Sequence, residues 1–268
     1  MLVLLPPSEG KTPGGEGPPV GRRPSFGAPG LARPRAELLE ALRRAARAAP
    51  EDLCRGLKLP TSVAPAALKA VASAATAPTM AALDRYAGVV YQGLDVASLS
   101  AAARARADEQ VLVVSGLWGV VRGGEQVPDY RVPAAGRVPG LGGVAAHWRR
   151  PLADVLPGLV GDRTVLDLRS SDYLGMWRPD ADLRDRVLVV RVLAERVSGS
   201  SRTTSAVSYH AKWVKGLVTR HLVRSRRQWK DPWSALADAA GALDLRVVDT
   251  STGGPRGGWS ADLVGRYP

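Results

Sequence analysis

The chain has 268 residues and 28.3 kDa, which is long enough to bury a substantial hydrophobic core. Apolar residues make up 45% and charged residues 23%, as in an ordinary globular protein, and this composition argues against a disordered chain. The formal net charge of +12 is unusual, because 37 Lys and Arg stand against 25 Asp and Glu, and such an excess attracts polyanions.

The number of cysteines and the length of the apolar segments indicate in which cellular compartment the protein is expected. Cys54 is the only cysteine, so an internal disulfide and a CxxC metal or redox site are excluded and a reducing compartment is expected. No segment is apolar for long enough to cross a membrane. Met1–Leu5 lacks a basic leader and ends at two prolines, so we expect a buried strand there and a cytoplasmic protein.

The predicted elements alternate between helices and strands. Leu2–Leu5 is predicted to be a buried strand, and residues 6–34 a long loop. Proline breaks separate the predicted helices of the first half, at 35–49, 51–56, 63–75 and 78–86. The second half is predicted to contain strands or extended segments at 88–91, 110–115, 127–131, 164–168, 187–192, 205–209, 245–249 and 260–266. Helices are predicted there at 98–107, 147–156, 210–229 and 231–242. This order predicts a mixed α/β (α+β) fold with a central sheet and flanking helices.

The loop after the first strand contains Ser8 and Lys11. A strand that runs into a turn with Ser, Gly and Lys is similar in outline to a phosphate-binding loop, although the glycine spacing of a P-loop is absent. Backbone N–H groups and Lys11 could hold an anion, and Lys11 could act as a nucleophile if burial lowered its pKa. A plain polar turn is an equally good interpretation of this motif alone.

Two further segments follow buried strands, where open sheets bind ligands. Ser115 ends one strand and is followed by Arg122 and Arg131, whose guanidinium groups suit phosphate or carboxylate. Ser171, Asp172 and Tyr173 follow another strand, and Asp172 could be a base or a helix cap. The three histidines have no metal-ligand spacing, so no stable metal site and no cofactor are expected.

The segment from Arg196 to Lys230 contains nine Lys and Arg and no Asp or Glu. On a helix, the apolar residues form one stripe and the cations the opposite one. Such a stripe matches phosphates along a nucleic-acid strand, and Trp213 and Trp229 could stack on bases. The cations expected to contact phosphate are Lys212, Lys215, Arg220, Arg226 and Arg227. The alternative is a solvated helix face.

Taken in order, these segments resemble the YaaA peroxide-stress family, also called DUF328. The resemblance covers nearly the whole chain and depends on six motifs: Pro7 to Lys11, Tyr91 to Leu94, Ser115 to Arg122, Pro128 to Arg131, Ser170 to Tyr173 and Tyr209 to Gly216. Trp118 replaces a tyrosine of the family pattern, and His210 is an insertion, as in an actinobacterial-type branch.

The resemblance implies a single domain over 1–268 with the family's "cantaloupe" fold and a basic cleft. It implies a monomer that binds double-stranded or branched DNA, protects it during peroxide stress and limits reactive iron. It also implies a helix-hairpin-helix within a helical subregion at about 35–86. The hairpin candidate contains Gly56, Lys58 and Thr61, whose backbone would meet phosphate.

Two hypotheses therefore stand, and DNA binding is the favoured one. In it, Lys11, Arg122 and Arg131 line the cleft. The alternative is an enzyme that acts on a small anionic or nucleotide-like substrate, with Ser8, Lys11, Ser115, Ser171, Asp172 and Tyr173 at strand ends. The position of Lys11, Arg131 and Lys212 distinguishes them, because one deep pocket favours catalysis and one open groove favours DNA.

Overall fold

The computed structural model describes residues 1–22, 27–198, 201–205, 209–251 and 258–266. Within these residues there are ten α-helices: α1 (Ala32–Ala48), α2 (Pro50–Gly56), α3 (Ala64–Ser73), α4 (Ala82–Arg85), α5 (Val89–Leu94), α6 (Ala101–Gln110), α7 (Val144–Val160), α8 (Ser171–Leu174), α9 (Tyr209–Arg224) and α10 (Pro232–Ala242). The same residues contain twelve strands: β1 (Leu2–Leu5), β2 (Met80–Ala81), β3 (Val111–Ser115), β4 (Gly119–Arg122), β5 (Gln126–Val127), β6 (Arg137–Val138), β7 (Gly142–Gly143), β8 (Val165–Asp167), β9 (Val187–Ser198), β10 (Ser201–Ser205), β11 (Arg246–Asp249) and β12 (Trp259–Arg266).

A mixed sheet of eight strands forms the centre of the described structure and confirms the α/β class. Its order is β11-β12-β9-β8-β1-β3-β4, with β10 paired to β9. Strand β1 is buried along its whole length and is parallel to both of its neighbours, β3 and β8. The carboxyl ends of these three strands therefore meet at one edge of the sheet, where ligands bind in open α/β sheets.

Two groups of helices pack around this sheet. Helix α1 contacts α2, α3 and α7, while α9 contacts α5, α6 and α10. The crossing of α5 and α9 is unusually close because it is formed by Gly93 and Gly216. A Cβ on Gly216 would lie 2.0 Å from the carbonyl oxygen of Val90, and one on Gly93 would lie 2.4 Å from that of Trp213. The two helices therefore meet backbone to backbone.

Three local predictions were wrong. Residues 88–91 begin helix α5 instead of a strand, because contact with α9 outweighs the β-propensity of two valines and a tyrosine. The segment 127–131 is paired only at its start, through β5 and β2. Helix α7 extends well beyond the predicted 147–156 and includes Pro151 and Pro157.

The end of α9 corrects a fourth prediction, which placed the helix at 210–229. It ends at Arg224, where Arg106 donates hydrogen bonds from Nε to the carbonyl of Val223 (2.8 Å) and from its terminal nitrogen to that of Arg224 (3.1 Å). Side-chain donors on terminal carbonyls stabilise a helix end. Arg226 and Arg227 therefore lie beyond the helix and do not continue its stripe.

The helix predicted at 78–86 is wrong at its start: Met80–Ala81 form β2 because they pair with β5, and only Ala82–Arg85 are helical. The other predictions for the helical subregion hold approximately. Helices α2 and α3 are joined by a short turn at the predicted place, and Cys54 is half-buried on α2. Throughout the described ranges, every helix is too short or too polar to span a membrane.

Candidate functional site

Arg85 fixes the loop that follows β1. Its guanidinium group donates to the carbonyl oxygens of Thr12, Gly14 (2.8 Å) and Val127 (3.2 Å). The backbone of Lys11 forms a bridge with that of Tyr86, and the N–H of Thr12 donates to the carbonyl of Arg85 at 2.8 Å. A buried arginine that satisfies several loop carbonyls thus holds Lys11 beside Tyr86.

Lys11 is half-buried between backbone and aromatic rings. Its Nζ donates to the carbonyl oxygen of Ser8 at 3.1 Å and lies 4.3 Å from the ring centroid of Tyr130 and 5.7 Å from that of Tyr86. Burial lowers the pKa of Lys11 to about 8, although the carboxylate of Asp129 acts in the opposite direction. At pH 7 about one molecule in ten then carries a neutral amine at Lys11, far more than for an ordinary lysine.

A chain of three hydroxyl groups lies next to Lys11. The Ser115 Oγ is 2.6 Å from the Tyr130 hydroxyl, which is 2.6 Å from the Tyr86 hydroxyl. Ser115 Oγ also accepts hydrogen bonds from the N–H groups of Leu117 (3.2 Å) and Trp118 (3.0 Å). These two bonds occupy both lone pairs of the serine oxygen, so its proton must be donated to Tyr130.

Tyr130 accepts from Ser115 and shares a second hydrogen bond with Tyr86, which either hydroxyl can donate. Whichever donates, one of the two tyrosine protons has no acceptor among the described residues. Tyr86 is only 2% exposed, and burial raises its pKa and that of Tyr130, so both stay neutral at physiological pH. Tyr86 is thus the end of the chain, and Tyr130 is its centre. We call Lys11, Ser115, Tyr86, Tyr91, Tyr130 and Tyr173 the tyrosine cluster.

A second half-buried lysine, Lys215 of α9, contacts the segment that follows β8. Lys215 of α9 donates to the carbonyl oxygen of Arg169 at 3.2 Å, and burial lowers its pKa to about 8 against the opposing effect of Asp167. Arg169 and Asp167 form a fully buried ion pair at 2.6 Å. Arg169 also donates to the carbonyls of Tyr173 (2.9 Å) and Trp177 (3.0 Å). This network holds the segment that carries Tyr173.

The structure brings several predicted residues of the cleft together. Arg131 is ion-paired with Glu9, in the loop of Ser8 and Lys11. Tyr173 lies on α8, which follows β8, the parallel neighbour of β1, and burial raises the pKa of its hydroxyl. Ser171 and Asp172 are exposed on α8.

Arg122 is not part of this group. In the antiparallel β3–β4 pair it lies opposite Leu112, whereas Ser115 lies opposite Gly119. Arg122 is therefore at the far end of the two strands, where it donates to the carbonyl of Glu109 at 3.0 Å.

The predicted cations of the α9 region fall into two classes. Lys215 is half-buried, and Arg220 is tied to the carbonyls of Leu94 and Asp95. Arg227 is paired with Asp238. Arg227 is exposed but paired, and four other cations of this region are exposed without an ion-pair partner among the described residues. We call these four the basic surface: Lys212, Arg224, Arg226 and Lys230. Only this second class can meet a polyanion without breaking internal bonds.

The hairpin candidate is a turn between α2 and α3. Lys58 and Thr61 are exposed, and Lys58 has a left-handed backbone with φ of 55°. A Cβ on Gly56 would lie 2.4 Å from the carbonyl oxygen of Arg137, so close packing against β6 explains that glycine. Phosphate binding by this turn stays a prediction.

Several important residues were missed by sequence reasoning. Arg85 and Tyr86 stand in a segment without a motif, and only the fold brings them to the site. The segment 167–173 follows a predicted buried strand, but nothing in its sequence indicates that Asp167 and Arg169 form a buried ion pair. No group of three or more potential metal ligands occurs within the ranges that the structure describes.

Known proteins resemble this chain over most of its length. The profile of the family described as peroxide stress protein YaaA matches residues 1–238. A UPF0246 protein of Streptomyces coelicolor is 38% identical over 264 residues, which cover 98% of each chain. A UPF0246 protein of Corynebacterium efficiens is 36% identical over 235 residues, or 85% of this chain and 87% of the relative. The chain therefore belongs to the peroxide stress protein YaaA family.

Proposed function

We propose that this protein binds double-stranded or branched DNA during peroxide stress, protects that DNA and limits reactive intracellular iron. The observation that carries the proposal is the basic surface, whose members Lys212 and Arg226 have no ion-pair partner among the described residues. In a chain of net charge +12, unpaired exposed cations attract phosphate groups. Counterions released from the DNA would drive association.

The test is fluorescence anisotropy with labelled duplex and four-way-junction DNA over a series of salt concentrations. The variant is Lys212→Glu with Arg226→Glu, since both side chains are exposed and their reversal should leave the fold intact. The matched control is Arg44→Glu with Arg47→Glu, which changes the net charge equally on the exposed side of α1. Lys215 is left unchanged because it is bonded to Arg169.

We expect binding that weakens steeply with salt, and a loss of at least tenfold in the α9 variant but not in the α1 control. The slope of log affinity against log salt should fall by roughly two in the α9 variant, about one for each phosphate contact removed. Equal losses in both variants would indicate a general charge effect. Absence of binding at low salt would refute the proposal.

A second candidate function is an enzyme acting on a small anionic or nucleotide-like substrate at the tyrosine cluster. The favouring observation is that a buried chain of three hydroxyl groups, with one proton that has no acceptor among the described residues, lies beside Lys11. A hydroxyl with a proton to donate and an amine that is partly neutral are groups that acid–base or nucleophilic catalysis uses. DNA binding alone requires neither.

Reductive methylation with formaldehyde, followed by mass spectrometry of each lysine, tests this candidate. Reactivity at Lys11 should rise with a midpoint near pH 8, well below the midpoint near pH 10.4 of a lysine in an unstructured reference peptide. Tyr86→Phe serves as the matched variant, because it removes the hydroxyl and keeps the ring. An ordinary pH profile at Lys11 would exclude it as a nucleophile at neutral pH.

A further inference from the structure

Tyr209 is the one large hydrophobic side chain that is exposed among the described residues, with 56% of its surface open. It stands at the first position of α9. Exposed aromatic side chains on a protein surface often mark a binding site, since their burial by a partner is favourable. This tyrosine therefore needs an explanation beyond the core.

The ring of Tyr209 is held in place from one side only. Trp213, one helical turn later, lies nearly parallel to it, with 6.2 Å between centroids and 17° between planes. The ring of His210 meets it edge-on at 5.9 Å, and the Tyr209 hydroxyl lies 3.4 Å from Oε1 of Gln92. The orientation of the ring is thus set before any partner binds, which lowers the entropy cost of binding.

The charge around this ring is positive. Lys212 is exposed and lies on the same side of α9, because residues three and four apart on a helix are neighbours. Lys212 also lowers the pKa of Lys215, after the larger effect of burial, so the two ammonium groups are close. An exposed aromatic face beside a cation matches a base and its adjacent phosphate.

We propose that Tyr209 stacks on an unpaired nucleobase of bound DNA while Lys212 holds the neighbouring phosphate. This inference rests on the proposed function and adds a structural preference to it. In a paired duplex the base faces are stacked on one another, so a base face is most readily freed where pairing is interrupted, at mismatches, bulges, ends and branch points. The protein should therefore prefer DNA that contains an unpaired base.

The experiment compares two duplexes of equal length and charge, one fully paired and one with a single mismatch that leaves two bases unpaired. Anisotropy is measured for the wild type, Tyr209→Ala and Tyr209→Phe. Tyr209→Leu is a further control, since it keeps apolar surface without a π-face. Circular dichroism of each variant verifies that α9 is retained.

We expect the wild type to bind the mismatched duplex about tenfold more tightly than the paired one, because stacking of one base on an aromatic ring increases affinity by about this factor. This preference should persist in Tyr209→Phe and disappear in Tyr209→Ala and Tyr209→Leu. Equal affinity for the two duplexes, or a preference that survives in Tyr209→Ala, would overturn the stacking inference while leaving DNA binding standing. Failure to bind either duplex would instead overturn DNA binding, and the inference with it.

Discussion

The tyrosine cluster and the basic surface use lysine in opposite ways. Lys11 is enclosed by rings and carbonyls and has a pKa of about 8, whereas Lys212 is exposed on α9. Lys215 lies three residues after Lys212 on the same helix, yet it resembles Lys11. Burial therefore distinguishes lysines whose lowered pKa suits catalysis from exposed lysines that can bind phosphate. The number of positive charges in a segment does not make this distinction.

This comparison clarifies the two hypotheses. Lys11 and Arg131 are grouped at the carboxyl edge of the sheet, whereas Lys212 is an exposed residue of another element. Arg122 lies apart from Lys11 and Arg131, and Arg226 and Arg227 lie beyond the end of α9, so the predicted cations do not form one continuous stripe. DNA binding and catalysis would thus use different residues, and each can be tested without disturbing the other.

The largest expected effect comes from the buried ion pair that supports the cluster. Asp167→Ala leaves the guanidinium group of Arg169 buried without its carboxylate, which should lower the free energy of unfolding by about 3–5 kcal/mol. Urea denaturation measures this loss. Asp167→Asn, which keeps an acceptor oxygen, should lose less, and a loss below about 1 kcal/mol in Asp167→Ala would contradict the role assigned to the pair.

The next effect tests the central position of Tyr130 in the hydroxyl chain. Tyr130→Phe removes both hydrogen bonds of the chain and leaves the Ser115 proton without its acceptor, so it should cost about 1–3 kcal/mol. Tyr86→Phe removes only one of the two hydrogen bonds and should cost about half as much. Both losses can be read from urea denaturation at neutral pH, and equal losses would refute the central position of Tyr130.

A third effect appears on raising the pH. The pKa of Lys11 is about 8 in the folded state and about 10.4 in the unfolded chain, so between these values the unfolded state binds more protons. Stability should therefore increase from pH 8 to pH 9.5, by on the order of 1 kcal/mol per buried lysine after solvent screening. Lys215 contributes with the same sign.

Thermal melts of Lys11→Met over this range should show a smaller increase than those of the wild type. The measurement stops at pH 9.5 because the raised pKa values of the buried tyrosines act in the opposite direction at higher pH. A wild-type increase retained in full by Lys11→Met would show that Lys11 titrates normally.

The smallest effect is expected on the basic surface. Lys212→Ala removes an exposed side chain without a partner and introduces a strong helix former, so stability should change by less than about 0.5 kcal/mol. Differential scanning calorimetry can verify this. A larger loss would place Lys212 among the residues that hold the fold.

Sequence patterns predicted those elements that are marked by a continuous run of buried apolar residues. β1, β3, β8 and the start of β9 are apolar runs, and their positions were correct within one or two residues. Motif spacing also identified Lys11, Ser115 and Tyr173. In each case the residue type and its place after a strand contain the information.

The remaining features depend on partners distant in the chain. The end of α9 is set by Arg106, more than one hundred residues earlier, so no local signal marks it. Tyr86 is brought to Lys11 by a backbone bridge and by Arg85. The helix at 89–94 forms because Gly93 fits against Gly216. Such contacts are properties of the fold and cannot be read from periodicity.

The Gly93–Gly216 crossing has a mechanical consequence. Packed helices can usually slide, because side chains between them can change rotamer, but here backbone atoms meet directly. Helix α5 carries Tyr91, whose hydroxyl donates to the carbonyl of Pro6 at 2.8 Å, and α9 carries Lys212. The two helices therefore cannot slide past one another without separating. A displacement of Lys212 with α9 would be transmitted to Tyr91 on α5, which is bonded to the segment between β1 and Lys11.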